Sequence, residues 1–237
     1  MTDGTVRDGV FRLHRPGTRW LSTGWNGGFR DADAAYNVTV PSGWDRTDLD
    51  AYVADRLSSA GFEVPGPTLL TGVSMDHLVG ARLDDVAAYA TVGLSNPATL
   101  PQDPPGAADD PSNAAPDRPG SGTVNLVVAT DRSLDDGGLA TLLSVAVEAK
   151  TATLTALADV PGTTTDAAVV GANPDGEPAT FAGSATAVGA AARACVREAV
   201  TAALRSRYRA DEVPRSVGDA EHGIRTTAAA TVFDPRE

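Results

Sequence analysis

Apolar and polar positions alternate over short stretches in the first hundred residues of this chain and fall into longer, helical periods in the second half. Residues 10–14 and 19–22 alternate and flank Pro16-Gly17, which predicts a β-hairpin, and 36–40 predicts another strand. The period then changes. Leu49, Tyr52, Val53 and Leu57 share one stripe, with Asp48 as cap and Gly61 as stop, so a helix is expected there. Residues 68–73 and 87–92 predict short strands. Residues 123–130 form a continuous apolar run of the buried-strand type, and Ser133 with Asp136 reads as a capping box opening a helix from about 134 to 157. A strand at 167–172 and an Ala-rich helix from 186 to about 208 follow, and His222-Gly223-Ile224 begins one more extended segment. Such a succession predicts an α+β or layered α/β fold, a mixed sheet packed with a few long helices.

Seven of the sixteen prolines lie from Pro97 to Pro119, among Asp, Gly, Ala and Ser. Few large side chains are available there to pack, so the stretch reads as a loop or linker. It divides the chain into an N-terminal α/β part (1–96), the Pro/Asp-rich stretch (97–120) and a C-terminal α/β part (121–237) that carries most motifs. The division leaves room for both parts to share one sheet and form a single domain.

Charge narrows the function. Acidic residues outnumber basic ones 31 to 19, for a net charge of −12, and Lys150 is the only lysine. Without clustered Lys and Arg there is nothing to neutralise nucleic-acid phosphates, nor an anionic membrane surface. Short Asp side chains in a lysine-poor chain suit high internal salt, where charge is screened over about 3 Å at 1 M, the alternative being an ordinary acidic protein in which codon bias replaces Lys by Arg. The start, Met1-Thr2-Asp3-Gly4, shows no charged-then-apolar signal, and no window suggests a membrane-spanning helix, so a cytoplasmic location is expected. Cys195 stands alone in an Ala-rich run and reads as a small core residue, so no disulfide within the chain is available to it.

The sequence contains no GxGxxG, phosphate loop, HExxH, paired CxxC or GxSxG. A three-histidine metal site would need His14, His77 and His222 together, and each reads instead as a surface or core histidine. No cofactor is expected. The informative polar residues sit at element ends. Asn26-Gly27-Gly28 follows a strand, either as a plain turn or as backbone open to a ligand. Asn96, in Gly93-Leu94-Ser95-Asn96, is either a turn former or an amide donor to a ligand. Gly162-Thr163-Thr164-Thr165-Asp166 gathers three hydroxyls and a carboxylate before a strand, which can polarise a substrate or satisfy its own backbone. Gly183 precedes the last helix, whose N–H groups either receive an oxyanion or are simply capped by Ser184 or Thr186. Asn125 interrupts an apolar strand as either a structural bracket or a ligand contact. Asp131 lies just past that strand's carboxyl end, where α/β sheets commonly hold ligands.

Taken together, Gly122-Thr123-Val124-Asn125-Leu126-Val127, Glu148-Ala149-Lys150-Thr151-Ala152-Thr153-Leu154, Gly162-Thr163-Thr164-Thr165-Asp166-Ala167-Ala168-Val169-Val170 and Phe181-Ala182-Gly183 resemble the adenosylcobinamide amidohydrolases in order and spacing. Leu21-Ser22, Asn26-Gly27-Gly28 and Gly93-Leu94-Ser95-Asn96 extend the match to about residues 20–205. The insertion after Asn96 looks longer than the family pattern. The resemblance implies cleavage of the amide between the corrin-ring propionate and 1-amino-2-propanol, giving adenosylcobyric acid for coenzyme B12 synthesis. The partner implied is a corrinoid whose cobalt belongs to the substrate; metal need is left open, and so is a homo-oligomer. A corrinoid-binding module without cleavage and a hydrolase of another amide are the alternatives.

Amide hydrolysis requires a nucleophile or activated water, donors for the oxyanion and an acid for the departing amine. Asp166, Asp131, Glu148 and Lys150 are the titratable candidates, with Thr163, Thr164 and Thr165 as donors or nucleophiles. Lys150 stands out by position. Three, four and seven residues away on its helix lie Leu143, Ala146, Val147, Thr153, Leu154 and Leu157, so it projects from the apolar stripe although Ser144, Glu148, Thr151 and Thr155 offer a polar face. A lysine there either snorkels at the stripe's edge or is held in a pocket, where a compact ammonium suits oxyanion stabilisation or proton transfer.

Overall fold

A computed structural model describes residues 4–41, 48–102 and 122–236. Its main sheet has eight strands: β1 (Gly4–Arg7), β2 (Val10–Ser22), β3 (Gly28–Thr39), β4 (Thr68–Thr71), β5 (Val79–Leu83), β6 (Val86–Val92), β8 (Val124–Thr130) and β9 (Ala167–Ala172). Its order is β4-β3-β2-β9-β8-β6-β5, with β1 beside β2. β3 and β4 are parallel, as are β8 and β9, while the other pairings are antiparallel. The described residues hold three helices, α1 (Leu49–Ser59), α2 (Asp136–Ala158) and α3 (Ala187–Arg207). The architecture is α+β with a mixed sheet. Strands from either side of the proline-rich stretch interleave in it; residues 103–121 of that stretch lie outside the described residues.

Burial follows the strand period of two. Leu126, Val128, Ala168 and Val170 face α2 and α3, joined by Leu139, Leu142, Ala146, Ala192, Val196 and Val200. Val127, Ala129 and Val169, one residue out of phase, face a second core with Phe11, Leu13, Trp20 and Leu69. That second core is enclosed by the sheet itself, which curls until β8 reaches β3 and β4: Asn125 Nδ2 donates to Asn37 Oδ1 and to the Leu70 carbonyl, both at 2.9 Å. α1 packs on Val10, Ala34, Tyr36 and Val38 through Leu57, with Ala60 and Phe62 just beyond it.

Several expectations need correction. Pro16-Gly17 does not turn a hairpin. Val10–Ser22 is one strand whose register against β3 shifts between His14 and Thr18, with Gly17 at φ +68° donating its N–H to Asp33 Oδ1. The hairpin turn falls after Ser22, at Asn26-Gly27. Asp135, not a Ser133/Asp136 box, caps α2 by accepting from Gly138 N at 2.6 Å. Pro97 and its neighbours do pack: β7 (Ala98–Thr99) pairs in parallel with β10 (Ile224–Arg225), which is the extended segment expected near His222. By length and composition alone α2 also passes for a membrane span, at mean hydropathy 1.2, yet it packs against β9 and α3.

Candidate functional site

The connection from β8 through α2 to β9 positions the chemistry. Because β8 and β9 are parallel neighbours, α2 must carry the chain back, so the last third of α2 lies over the N-terminal ends of both strands. β2 and β6 run antiparallel to β9 and β8, so their C-terminal ends arrive at the same edge.

Lys150 and Asp166 meet there. Lys150 Nζ makes an ion pair with Asp166 Oδ2, and the two side chains are only 9% and 17% exposed. The other carboxylate oxygen accepts from Thr163 Oγ1 and from the Val124 N–H at 3.0 Å, where β8 begins. Gly162 makes room for the pair: a Cβ there would collide with both the carboxylate and the ammonium. A hydroxyl, a carboxylate and an ammonium in series supply a donor, a proton acceptor and a cation within one partly buried cluster.

The threonine turn is tied to the neighbouring strand ends. Asn96 Nδ2 donates to Thr164 Oγ1 at 2.7 Å and approaches Thr165 Oγ1 at 3.5 Å, while the Thr164 N–H donates to the Asn96 carbonyl. Thr165 Oγ1 donates to the Gly122 carbonyl, and Thr123 Oγ1 lies 2.8 Å from the Thr165 carbonyl and 3.2 Å from Asn125 Oδ1. From Asn125 the network continues inward through Asn37 to Thr91 Oγ1 at 3.1 Å. Asn125 is 1% exposed, and its partners are Asn37 and Leu70 in the curled sheet and Thr123 just before β8. Asn37 is a member of this network that sequence reasoning passed over, while Thr123 and Gly162 stood in the quoted motifs without being given a role. Asn37 carried the same signal as Asn125, an amide inside an apolar strand.

Asn26, Gly27 and Gly28 form the β2–β3 turn at this same edge. Asn26 takes φ +49° and its Nδ2 donates to Asp50 Oδ1 at 2.8 Å, while a Cβ at Gly27 would strike the Ser22 carbonyl. Just before them, Thr23 exchanges backbone and hydroxyl hydrogen bonds with Ala168, two residues from Asp166.

The structure places the remaining candidates elsewhere. Glu148 points outward from α2, 60% exposed, toward Arg193 at 3.6 Å. Asp131 follows the other end of β8, about 20 Å from Asp166 at about 3.3 Å per residue, where Arg15 and Arg82 pair with it. Both arginines line a cavity of about 380 Å³ with Phe11, Leu13 and Tyr89. Gly183 is at that far end too, its carbonyl accepting from Thr186, the N-cap of α3. His77 pairs with Ser206 and His222 lies 3.6 Å from Glu221; among the described residues no three His, Cys, Asp or Glu side chains gather to hold a metal ion.

Comparison with known proteins gives a consistent family. A family model described as adenosylcobinamide amidohydrolase matches residues 2–212. A curated protein of that name from Halobacterium salinarum is 54% identical over 237 residues, covering 99% of this chain and 100% of its own. Another from Methanosarcina mazei is 27% identical over 151 residues, 63% of this chain and 67% of its own. Among solved structures, the PH0078 protein from Pyrococcus horikoshii OT3 aligns at TM-score 0.46 and 12% identity, over 86% of this chain and 79% of that one.

Proposed function

The chain belongs to the adenosylcobinamide amidohydrolase family, and from that premise we propose that the Lys150–Asp166 pair is where the amide is cleaved. The reaction is hydrolysis of the aminopropanol amide of adenosylcobinamide to adenosylcobyric acid and 1-amino-2-propanol, a step of cobinamide salvage. The observation that carries the assignment of the site is the chain's only lysine, buried against a carboxylate that also accepts from a threonine hydroxyl.

Each group has a chemical role in this reading. Asp166 accepts the proton of the attacking water as its oxygen adds to the amide carbon. Lys150 stabilises the oxyanion that forms on the carbonyl oxygen and supplies a proton to the departing amine. Thr163 and the Val124 N–H hold the carboxylate so that its other oxygen faces Lys150. Asn96 orients the threonine turn. Water adds and the C–N bond breaks, which leaves the acid on the ring and the free amino alcohol.

Incubation with adenosylcobinamide, followed by chromatography for the acid product, tests the reading. Wild-type protein forms the acid, and Lys150→Met forms it at least about a hundredfold more slowly, the scale of losing one transition-state donor. Normal turnover by that variant would move the chemistry away from Lys150. The acid-rich surface further supports a cytoplasmic enzyme of a salt-accumulating cell, since short carboxylates stay hydrated where salt screens their repulsion.

A further inference from the structure

We propose that the open groove between α2 and the β2–β3 hairpin is the platform on which the corrin ring lies, with Val147 at its centre. The inference rests on the reading of Lys150–Asp166 as the reacting pair, and it adds where the rest of the substrate sits. The groove has a volume of about 600 Å³ and is walled by Thr23 on one side and by Leu143, Ser144, Val147, Thr151 and the outward-facing Glu148 on the other.

Three observations carry it. The first is continuity with the reacting pair. Leu143 and Val147 precede Lys150 by seven and three residues, so helical periodicity places all three along one flank of α2. Thr23, on the opposite wall, is bonded to Ala168, two residues after Asp166. Lys150 and Asp166 do not line the groove themselves, but both walls lead toward them, one along α2 and the other through Ala168.

The second is exposed apolar surface on the helix wall, with more on the strands behind Thr23. Val147 is 40% exposed on a helix whose outer flank would ordinarily be polar. Behind Thr23, outside the groove's own lining, Leu21 pairs with Val170 in the sheet and so shares the helix-facing side, and Phe29, paired with Leu21, is 44% exposed. Arg19, stacked over Phe29, reaches across to Asp136 at the start of α2 and ties the two walls together.

The third is shape. A corrin ring is broad, rigid and flat, with apolar faces and amide-bearing arms at its edge. An open groove can seat such a face while one arm extends to the pair, which an enclosed pocket of this size would not allow. The cavity of about 380 Å³ near Asp131 is at the wrong end of β8 to do the same.

Val147→Arg places a long cation on the platform at a position exposed enough to leave the core intact. Steady-state hydrolysis of adenosylcobinamide should show KM raised at least about tenfold with kcat within about threefold, because ring binding is lost while the reacting groups stay. The dissociation constant of adenosylcobyric acid, which has the ring but lacks the aminopropanol amide, should rise by the same factor in a visible-absorbance titration. Ser144→Arg, on the same wall, should reproduce both shifts. Unchanged KM and unchanged product affinity in both variants would overturn the platform while leaving the hydrolase reading intact. If wild-type protein bound the acid but hydrolysed nothing, the hydrolase reading would be wrong, and the product titration would still decide the groove.

Discussion

Replacing Asp166 by Asn removes one charge at constant size and tests the central pair. The carboxylate is 17% exposed and the Lys150 side chain 9%, so the substitution strands an ammonium in a site with little water. Removing one partner of a buried ion pair costs about 3–5 kcal/mol, and the remaining exposure of residue 166 puts the expected loss at the lower end, about 3 kcal/mol. For a chain of this size each kcal/mol moves Tm by about 2–4 °C, so a fall of about 6–12 °C is expected. Lys150→Met strands the carboxylate instead, but leaves it the Thr163 hydroxyl and the Val124 N–H, and should cost less. The double variant should then be more stable than the two losses added together, by about 0.5–3 kcal/mol of coupling. Thermal melts of the four proteins, run in the same concentrated KCl, measure this, and the coupling should survive added salt because a buried pair is poorly screened. Asp166→Asn should also lower kcat at least about a hundredfold, and Lys150→Arg should be as impaired as Lys150→Met, because a planar guanidinium does not replace a compact ammonium donor. Additive melting shifts, or single variants within about 2 °C of wild type, would refute the pairing argument.

Three further outcomes follow from the same geometry. Gly162→Ala inserts a methyl group between Lys150 and Asp166 and should cut turnover at least about tenfold, whereas normal kinetics would mean the pair relaxes freely. Asn125→Ala strands Asn37 Oδ1 and the Leu70 carbonyl inside the curled sheet and should cost about 1–3 kcal/mol in denaturant titration; a loss under about 0.5 kcal/mol would show that water replaces the amide. Raising KCl from about 0.1 to 3 M should raise Tm, because a net charge of −12 repels itself at low salt, and a flat curve would remove the argument for salt adaptation.

The parts of the fold legible in the sequence were those that bury themselves. Every residue of Val124–Thr130 is buried, as a mostly apolar run interrupted only by Asn125 leads one to expect, α3 carries a helical period, and α2 is a long, largely apolar stretch. What was missed lies at edges. Gly4–Arg7 and Val79–Leu83 are half-exposed edge strands whose glycines and arginines hide the alternation. Pro16-Gly17 misled for a related reason: those two residues sit where β2 and β3 change register, so a turn-forming pair was absorbed as a bulge in one long strand.

The candidate site was legible residue by residue but not as an arrangement, and one topological fact separates the two. Lys150 and Asp166 are sixteen residues apart, with a helix end and a loop between them. If β8 and β9 were antiparallel neighbours, the helix joining them would have no need to return the chain, and nothing would bring residue 150 over the start of β9. Once the strands are parallel and adjacent, the return is obligatory: α2 begins at the C-terminal end of β8 and ends at the N-terminal end of β9. Residues late in α2 and residues just before β9 must then share an end of the sheet, and a residue just after β8, such as Asp131, must lie at the other. Helical rotation does the rest. Glu148, two positions before Lys150, is turned about 200° away and faces solvent, so of two adjacent charged candidates on one helix only the lysine reaches the carboxylate.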